Sequence, residues 1–224
     1  MEEVKKECVA IVIGATGLVG AHLIQALIKD SRISKIKVFT RRSCGVNNQK
    51  VEEHLVDFNQ LSDYKNEIQG DVLFSCMGTT LKTAGSKEAQ YKVDYTYQYQ
   101  MARLAHENGV EDYVLISSTG ANLNSSFFYS KMKGELERDV QALNFQRTIF
   151  IRPSVLMGDR PEKRFGEAFG AKVINTLAAI IPSLKKYKGI LGSDVAASML
   201  QIYHQEQSSG LQIFELDQLR KYLN

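Results

Sequence analysis

The chain has 224 residues, 44% hydrophobic and 24% charged, with 28 Lys+Arg against 25 Asp+Glu for a formal charge of +3. That is the composition of a globular chain long enough for a sizeable core, and so balanced a charge argues against nucleic acid as a partner. Cys8, Cys44 and Cys76 lack metal-ligand spacing and the four histidines are scattered, so a metal centre and a His-based triad are both excluded and the cysteines read as reduced core thiols.

Along the chain, Met1–Glu7 is charged and runs into a strand instead of a signal-peptide core, which predicts a cytoplasmic protein. Apolar runs predict strands over Cys8–Ile13, Ile36–Thr40, Glu52–Val56, Asp71–Ser75, Tyr113–Ser117 and Thr148–Ile151. Helical spacing falls between them at about Leu18–Lys29, Leu61–Ile68, Lys87–Asn108 and Phe127–Leu143, with Gly70 and Gly109 where helix stops are expected. Strict alternation of strand and helix predicts an α/β fold, a Rossmann-type doubly wound parallel sheet. The pattern changes after Arg152. Residues 153–192 hold all three prolines, with a helix near Glu167–Ala179; a capped helix starts at Ser193 and a last strand covers Leu211–Leu216. In an open α/β sheet ligands sit beyond the carboxyl ends of the strands. Residues 153–192 and the C-terminus are therefore expected to cover a substrate, within a single domain over 1–224. The longest apolar stretch, Val173–Leu184, contains Asn175, Thr176 and Pro182 and is too short to span a bilayer, so no integral membrane segment is expected.

The first strand runs directly into Gly14, Gly17 and Gly20 and then into a helix. Strand, glycine turn and helix present backbone N–H groups and a positive helix end, a site for the pyrophosphate of a dinucleotide. The spacing is G-x-x-G-x-x-G, not the commoner G-x-G-x-x-G. The second strand ends in Arg41-Arg42, where an NAD site would carry an acid for the ribose hydroxyls. Guanidinium groups suit a 2′-phosphate, so NADP(H) is favoured over NAD(H), against the plainer alternative of a solvated basic turn.

Past the fifth strand stand Ser118 and, eleven residues on, Tyr129 and Lys133. The last two are four apart and share a helix face. An ammonium beside a phenol favours phenolate, which suits Tyr129 to exchange a proton with a substrate oxygen that Ser118 holds by a hydrogen bond. With ten tyrosines and 18 lysines, about one Y-x-x-x-K is expected by chance; its place after a strand ending in Ser-Ser carries the information.

Gly14-Ala-Thr-Gly17-Leu-Val-Gly20, the Ser118/Tyr129/Lys133 set and Arg152-Pro153-Ser154 resemble the short-chain dehydrogenase/reductase superfamily, in its extended and atypical branches. Arg41-Arg42, Val56-Asp57-Phe58, Cys76-Met77-Gly78-Thr79-Thr80 and Val93-Asp94 are most similar to the Tat-interactive-protein-like group of NADPH-binding members. The resemblance implies that Gly14, Thr16, Gly17, Leu18 and Val19 line the pyrophosphate and that Arg41 and Arg42 meet the 2′-phosphate. It implies that Asp57 and Phe58 flank the adenine, that Cys76, Met77 and Gly78 pass under the ribose, that Lys133 also bonds the nicotinamide ribose, and that Pro153 approaches the nicotinamide amide. Plainer alternatives are that Asp57 caps a turn and that Cys76 and Met77 fill the core. Ser117 and Thr119 are alternative working hydroxyls, because the Ser118–Tyr129 separation is shorter than the family often shows. The tyrosines at 95, 97 and 99 read as helix packing or a subunit contact. The expected activity is NADP(H)-dependent hydride transfer on a small carbonyl or alcohol substrate. Its rivals are a cofactor-retaining epimerase or dehydratase, and a non-catalytic NADP(H)-binding protein with a protein partner; a homodimer is left open.

Overall fold

The protein is described here by a computed structural model covering residues 8–158, 188–206 and 208–223. Its strands are β1 (Cys8–Ile13), β2 (Ile33–Thr40), β3 (Val51–Leu55), β4 (Val72–Ser75), β5 (Asp112–Ile116), β6 (Arg147–Arg152), β7 (Leu156–Met157), β8 (Ile190–Leu191) and β9 (Gly210–Glu215). Seven of them form one sheet in the order β3-β2-β1-β4-β5-β6-β9, every neighbouring pair parallel. β7 and β8 pair separately. The chain begins in the middle of the large sheet, winds outward to β3, then returns to β4 and winds the other way. The winding therefore reverses between β1 and β4, and the carboxyl end of the sheet at that switch point is where a ligand crevice is expected.

The helices are α1 (Gly20–Lys29), α2 (Leu81–Ala84), α3 (Lys87–Tyr91), α4 (Tyr97–Glu107), α5 (Phe128–Gln141) and α6 (Gly192–Gln205). Side chains alternate across each strand, so the sheet carries a core on both faces. Val12, Val38, Phe74 and Val114 meet Leu23 and Leu27 of α1 and Val195 and Met199 of α6. Ile11, Phe39, Leu73, Leu115 and Phe150 meet Met101 and Ala105 of α4 and Leu136 and Val140 of α5. Each of these Val, Leu, Ile, Phe and Met side chains, if fully buried, contributes roughly 1.5–3 kcal/mol.

Three predicted elements take a different form. The helix predicted over Leu61–Ile68 is a 3-10 helix over Phe58–Glu67, with non-helical backbone at Gln60 and Tyr64; a short polar segment started by an Asp57 cap has too little apolar face to sustain α geometry. The helix predicted over Lys87–Asn108 is interrupted by a π turn over Lys92–Thr96 between α3 and α4. Ser193 does not cap the late helix, which begins at Gly192 with Leu191 in the cap position. Gly109, at φ +82, does end α4 as expected. Gly70 instead sits against the Val9 carbonyl, 2.8 Å from where its Cβ would stand. The helix predicted near Glu167–Ala179 and most of the expected substrate cover over 153–192 lie outside the described residues.

Candidate nucleotide and proton-transfer site

The glycine turn folds back on itself and against the end of β4. Gly14 has φ +81, and a Cβ there would overlap the Cys76–Met77 peptide, standing 2.6 Å from the Met77 nitrogen. A Cβ on Gly20 would overlap the Gly14 carbonyl, with Gly14 C at 2.8 Å. The Gly17 amide donates to that same carbonyl at 2.9 Å. The absent side chains are thus what lets β1, α1 and the β4 loop converge. Helix α1 starts with Val19 in the cap position, has no side-chain cap and carries no acid in its first turn. Its Ala21 and Leu23 amides donate to the Gly17 and Val19 carbonyls at 3.0 and 2.9 Å, and its dipole end is positive. Helices α2 and α3, by contrast, are closed by Thr80 and Ser86. An uncapped helix end at the carboxyl edge of a parallel sheet fits a dinucleotide pyrophosphate. Leu18 packs beside Gly158 and Gly192, 2.8 and 2.6 Å from where their Cβ atoms would stand, which brings the β7 and α6 ends over the turn.

Arg41 and Arg42 are exposed at the end of β2, the turn held by the Thr40 hydroxyl donating to the Arg42 carbonyl at 2.8 Å. Asp57 accepts from the Asn59 amide at 2.8 Å and so caps the 3-10 helix. Phe58 is buried against Tyr97, ring centroids 5.4 Å apart. Cys76 and Met77 are partly buried on opposite faces of the sheet, and burial pushes the Cys76 thiol pKa well up, consistent with a reduced, unreactive sulfur.

On the other side of the crevice Tyr129, 38% exposed, and the almost fully buried Lys133 share one face of α5. The Lys133 ammonium lies 6.0 Å from the Tyr129 ring centroid and 3.4 Å from an Asp94 carboxylate oxygen. Burial is the largest single influence on Lys133 and opposes its charge, but Asp94, Tyr129 and Glu137 together hold its pKa above the ordinary lysine value. Of the three candidate hydroxyls, Thr119 is engaged by the carbonyls of Arg152 and Pro153 at 3.0 and 2.8 Å. Among the described residues Ser118 donates only to the Thr119 carbonyl, at 3.2 Å. Ser117 is buried with no hydrogen-bond partner for its hydroxyl among the described residues. Arg152 grips Glu137 through two nitrogens, at 2.9 and 2.5 Å, and reaches Glu215 with a third, locking β6 to α5 and β9.

The structure therefore brings the glycine turn to Cys76–Gly78, and Tyr129 to Lys133, while Arg41 and Arg42 stand apart at the surface. The sequence motifs do not mark Asp94 as the carboxylate beside Lys133. A signal was present: Gln90, Asp94 and Gln98 recur every four residues and all three are buried, a polar stripe on the inward face. The tyrosines resolve into helix packing. Tyr97 lies in the core, and Tyr91 and Tyr95 bond Glu135 and Asp139 of α5 at 3.2 and 2.6 Å. Among the described residues no three His, Cys, Asp or Glu side chains are placed to hold a metal, and no helix is long and apolar enough to cross a membrane.

Residues 10–195 match the NAD dependent epimerase/dehydratase family. The chain is 37% identical over 180 residues to "Protein fmp52, mitochondrial" of Emericella nidulans, covering 77% of each chain. It is 35% identical over 208 residues to "Protein FMP52, mitochondrial" of Candida glabrata, covering 88% of this chain and 85% of the relative. A short-chain dehydrogenase/reductase superfamily protein from Agrobacterium tumefaciens, solved with bound NAD, superposes with TM-score 0.68 at 17% identity, over 93% of this chain and 77% of that one; at that identity the likeness is one of fold. The expected cytoplasmic location is overturned by the mitochondrial names of these relatives.

Proposed function

The chain belongs to the NAD dependent epimerase/dehydratase family, and from that premise we propose that it binds NADP(H) and transfers hydride between the nicotinamide and a carbonyl or alcohol carbon of a small substrate. The observation that carries this reading is the buried Lys133 behind the half-open Tyr129, on the helix that follows the Ser-Ser end of β5. When bound, the nicotinamide supplies or accepts the hydride. Tyr129 donates its phenolic proton to the substrate oxygen in reduction, Ser118 holds that oxygen, and Lys133 tunes Tyr129 and bonds the ribose.

Gly14, Thr16, Gly17, Leu18 and Val19 receive the pyrophosphate, and Arg41 and Arg42 meet the 2′-phosphate from the open side of β2. Asp57 and Phe58 flank the adenine, Phe58 through its backbone because its ring is in the core. Cys76, Met77 and Gly78 run beneath the ribose and Pro153 approaches the amide. The paired arginines and the Cys76–Thr80 phrase favour the Tat-interactive-protein-like NADPH-binding group, and the relatives' names favour a mitochondrial location, which fractionation of expressing cells tests.

The test is a titration with NADPH and NADH followed by nicotinamide fluorescence, since the chain has no Trp. Saturable NADPH binding with NADH about tenfold weaker, roughly 1.4 kcal/mol, is expected. Equal affinities overturn the NADP preference, and no binding of either by folded, cofactor-free protein overturns the reading. The family favours a second reading, an epimerase or dehydratase that keeps its cofactor; it predicts stoichiometric nucleotide released on heating the purified protein.

A further inference from the structure

We infer that Asp94 is a positioning residue: one carboxylate holds both the loop after β4 and the lysine of the candidate proton-transfer pair, so that the nucleotide side and the chemical side of the crevice move as one. This rests on the role given above to Lys133. Asp94 is fully buried within the π turn, between α3 and α4. A π turn inserts one residue into a helix and shifts the face that side chains present. Here the aspartate ends up beneath the β4 loop. One oxygen accepts the Thr79 amide at 2.8 Å; the other lies 3.4 Å from the Lys133 ammonium and 3.5 Å from where a Gly78 Cβ would stand.

The backbone of the turn is held as firmly. Gln98 donates to the Asp94 carbonyl at 2.8 Å and accepts the Ser75 hydroxyl at 2.8 Å, while Gln90 reaches the Thr79 carbonyl at 3.3 Å. The buried polar stripe thus stitches the end of β4 and its loop to the interrupted helix. A buried ion pair is weak as a source of stability, because apolar side chains of similar volume fill such space at least as well. What an apolar pair cannot do is fix an ammonium and a loop amide with one group. Among the described residues, the charged or titratable groups facing Lys133 are Asp94 from the π turn and Tyr129 and Glu137 from α5 itself. Glu137 is engaged by Arg152 of β6, which leaves Asp94 as the main counter-charge.

Asp94→Asn keeps an acceptor for Thr79 and removes the charge. The experiment measures the Lys133 titration midpoint by NMR of lysine-labelled protein, assigned with Lys133→Arg, and NADPH affinity at pH 7 and pH 9. In the unaltered protein the midpoint is expected above the ordinary lysine value of about 10.4, with affinity equal at the two pH values. In Asp94→Asn the midpoint is expected to fall by about two pH units or more. Affinity then stays within about twofold at pH 7 and drops about tenfold at pH 9, as the unpaired ammonium loses its proton. Equal midpoints in both proteins, or the same affinity loss at every pH, overturn the inference. If Asp94→Asn does not fold, two measurements still decide. An unaltered-protein midpoint at or below the ordinary value overturns the inference, and the double variant Asp94→Leu/Lys133→Met is expected to fold and to bind NADPH with no difference between pH 7 and pH 9. If the unaltered protein binds no NADPH, the cofactor reading fails while the lysine midpoints still test the Asp94 link.

Discussion

The two sides of the crevice are held together by different physics. On the β1 side the shape is set by atoms that are missing: Gly14 and Gly20 let the turn close on the Cys76–Met77 peptide and on itself, and the groups offered to a ligand are backbone amides. On the β5–β6 side the shape is set by buried charge, with Lys133 against Asp94 and Arg152 against Glu137 and Glu215. The first arrangement fails by collision and the second by leaving an ion without a partner. That difference decides where each side is fragile.

The largest effect is expected from Lys133→Met, which strands the Asp94 carboxylate in the core and lowers unfolding free energy by about 3–5 kcal/mol in urea titration. Adding Asp94→Leu should restore most of it; no restoration would mean that the charges are not what holds this side. Next is Gly14→Val, where positive φ and a collision with the β4 loop combine to about 3 kcal/mol or more, together with loss of NADPH binding. A folded, fully binding Gly14→Val protein would break the account of the glycine side. Tyr129→Phe removes only a proton donor: turnover should fall about 100-fold or more while NADPH affinity stays within about twofold. A protein acting solely as a cofactor-dependent partner binder would have no turnover to lose and would keep its partner binding unchanged.

Arg42→Ala is expected to weaken NADPH by about tenfold with NADH unchanged, and to alter stability by less than about 0.5 kcal/mol because the side chain is exposed. The smallest effect lies at the rear of the sheet, away from the crevice. Burial works to raise the Asp30 pKa, but Arg32 and His204 outweigh it and hold the value at about 2. A carboxylate lowered from an ordinary 3.8 to about 2 stabilises the fold above pH 4, and that stabilisation is lost as pH falls through 2. The melting temperature should therefore drop over that window, and Asp30→Asn should flatten the drop.

The glycine side was legible in the sequence because its specification is local. Cys8–Ile13 is apolar throughout, three glycines follow at fixed spacing, and α1 repeats apolar residues at helical intervals. Each of these is a property of neighbours in the chain. The pairing of Tyr129 with Lys133 was legible for the same reason, being four residues apart on one helix. The π turn was not. Lys87–Asn108 reads as continuous helix because backbone propensity alone favours one; the interruption follows from contacts with Thr79, Ser75 and Lys133, which come from distant segments. Phe58 shows the same limit in reverse: its position after β3 suggested a ligand contact, and Tyr97, 39 residues away, takes its ring into the core.

By itself the sequence determined the alternating α/β order, the parallel sheet that such order requires, the glycine turn and the Tyr129–Lys133 face. All of these follow from side-chain size and periodicity over a few residues. Tertiary structure alone decided which carboxylate answers Lys133, which of Ser117, Ser118 and Thr119 is already engaged, and which strand ends meet. The reason is that a charge or hydroxyl buried by folding takes its energy from whatever group the fold sets opposite it, and sequence separation carries no record of that distance.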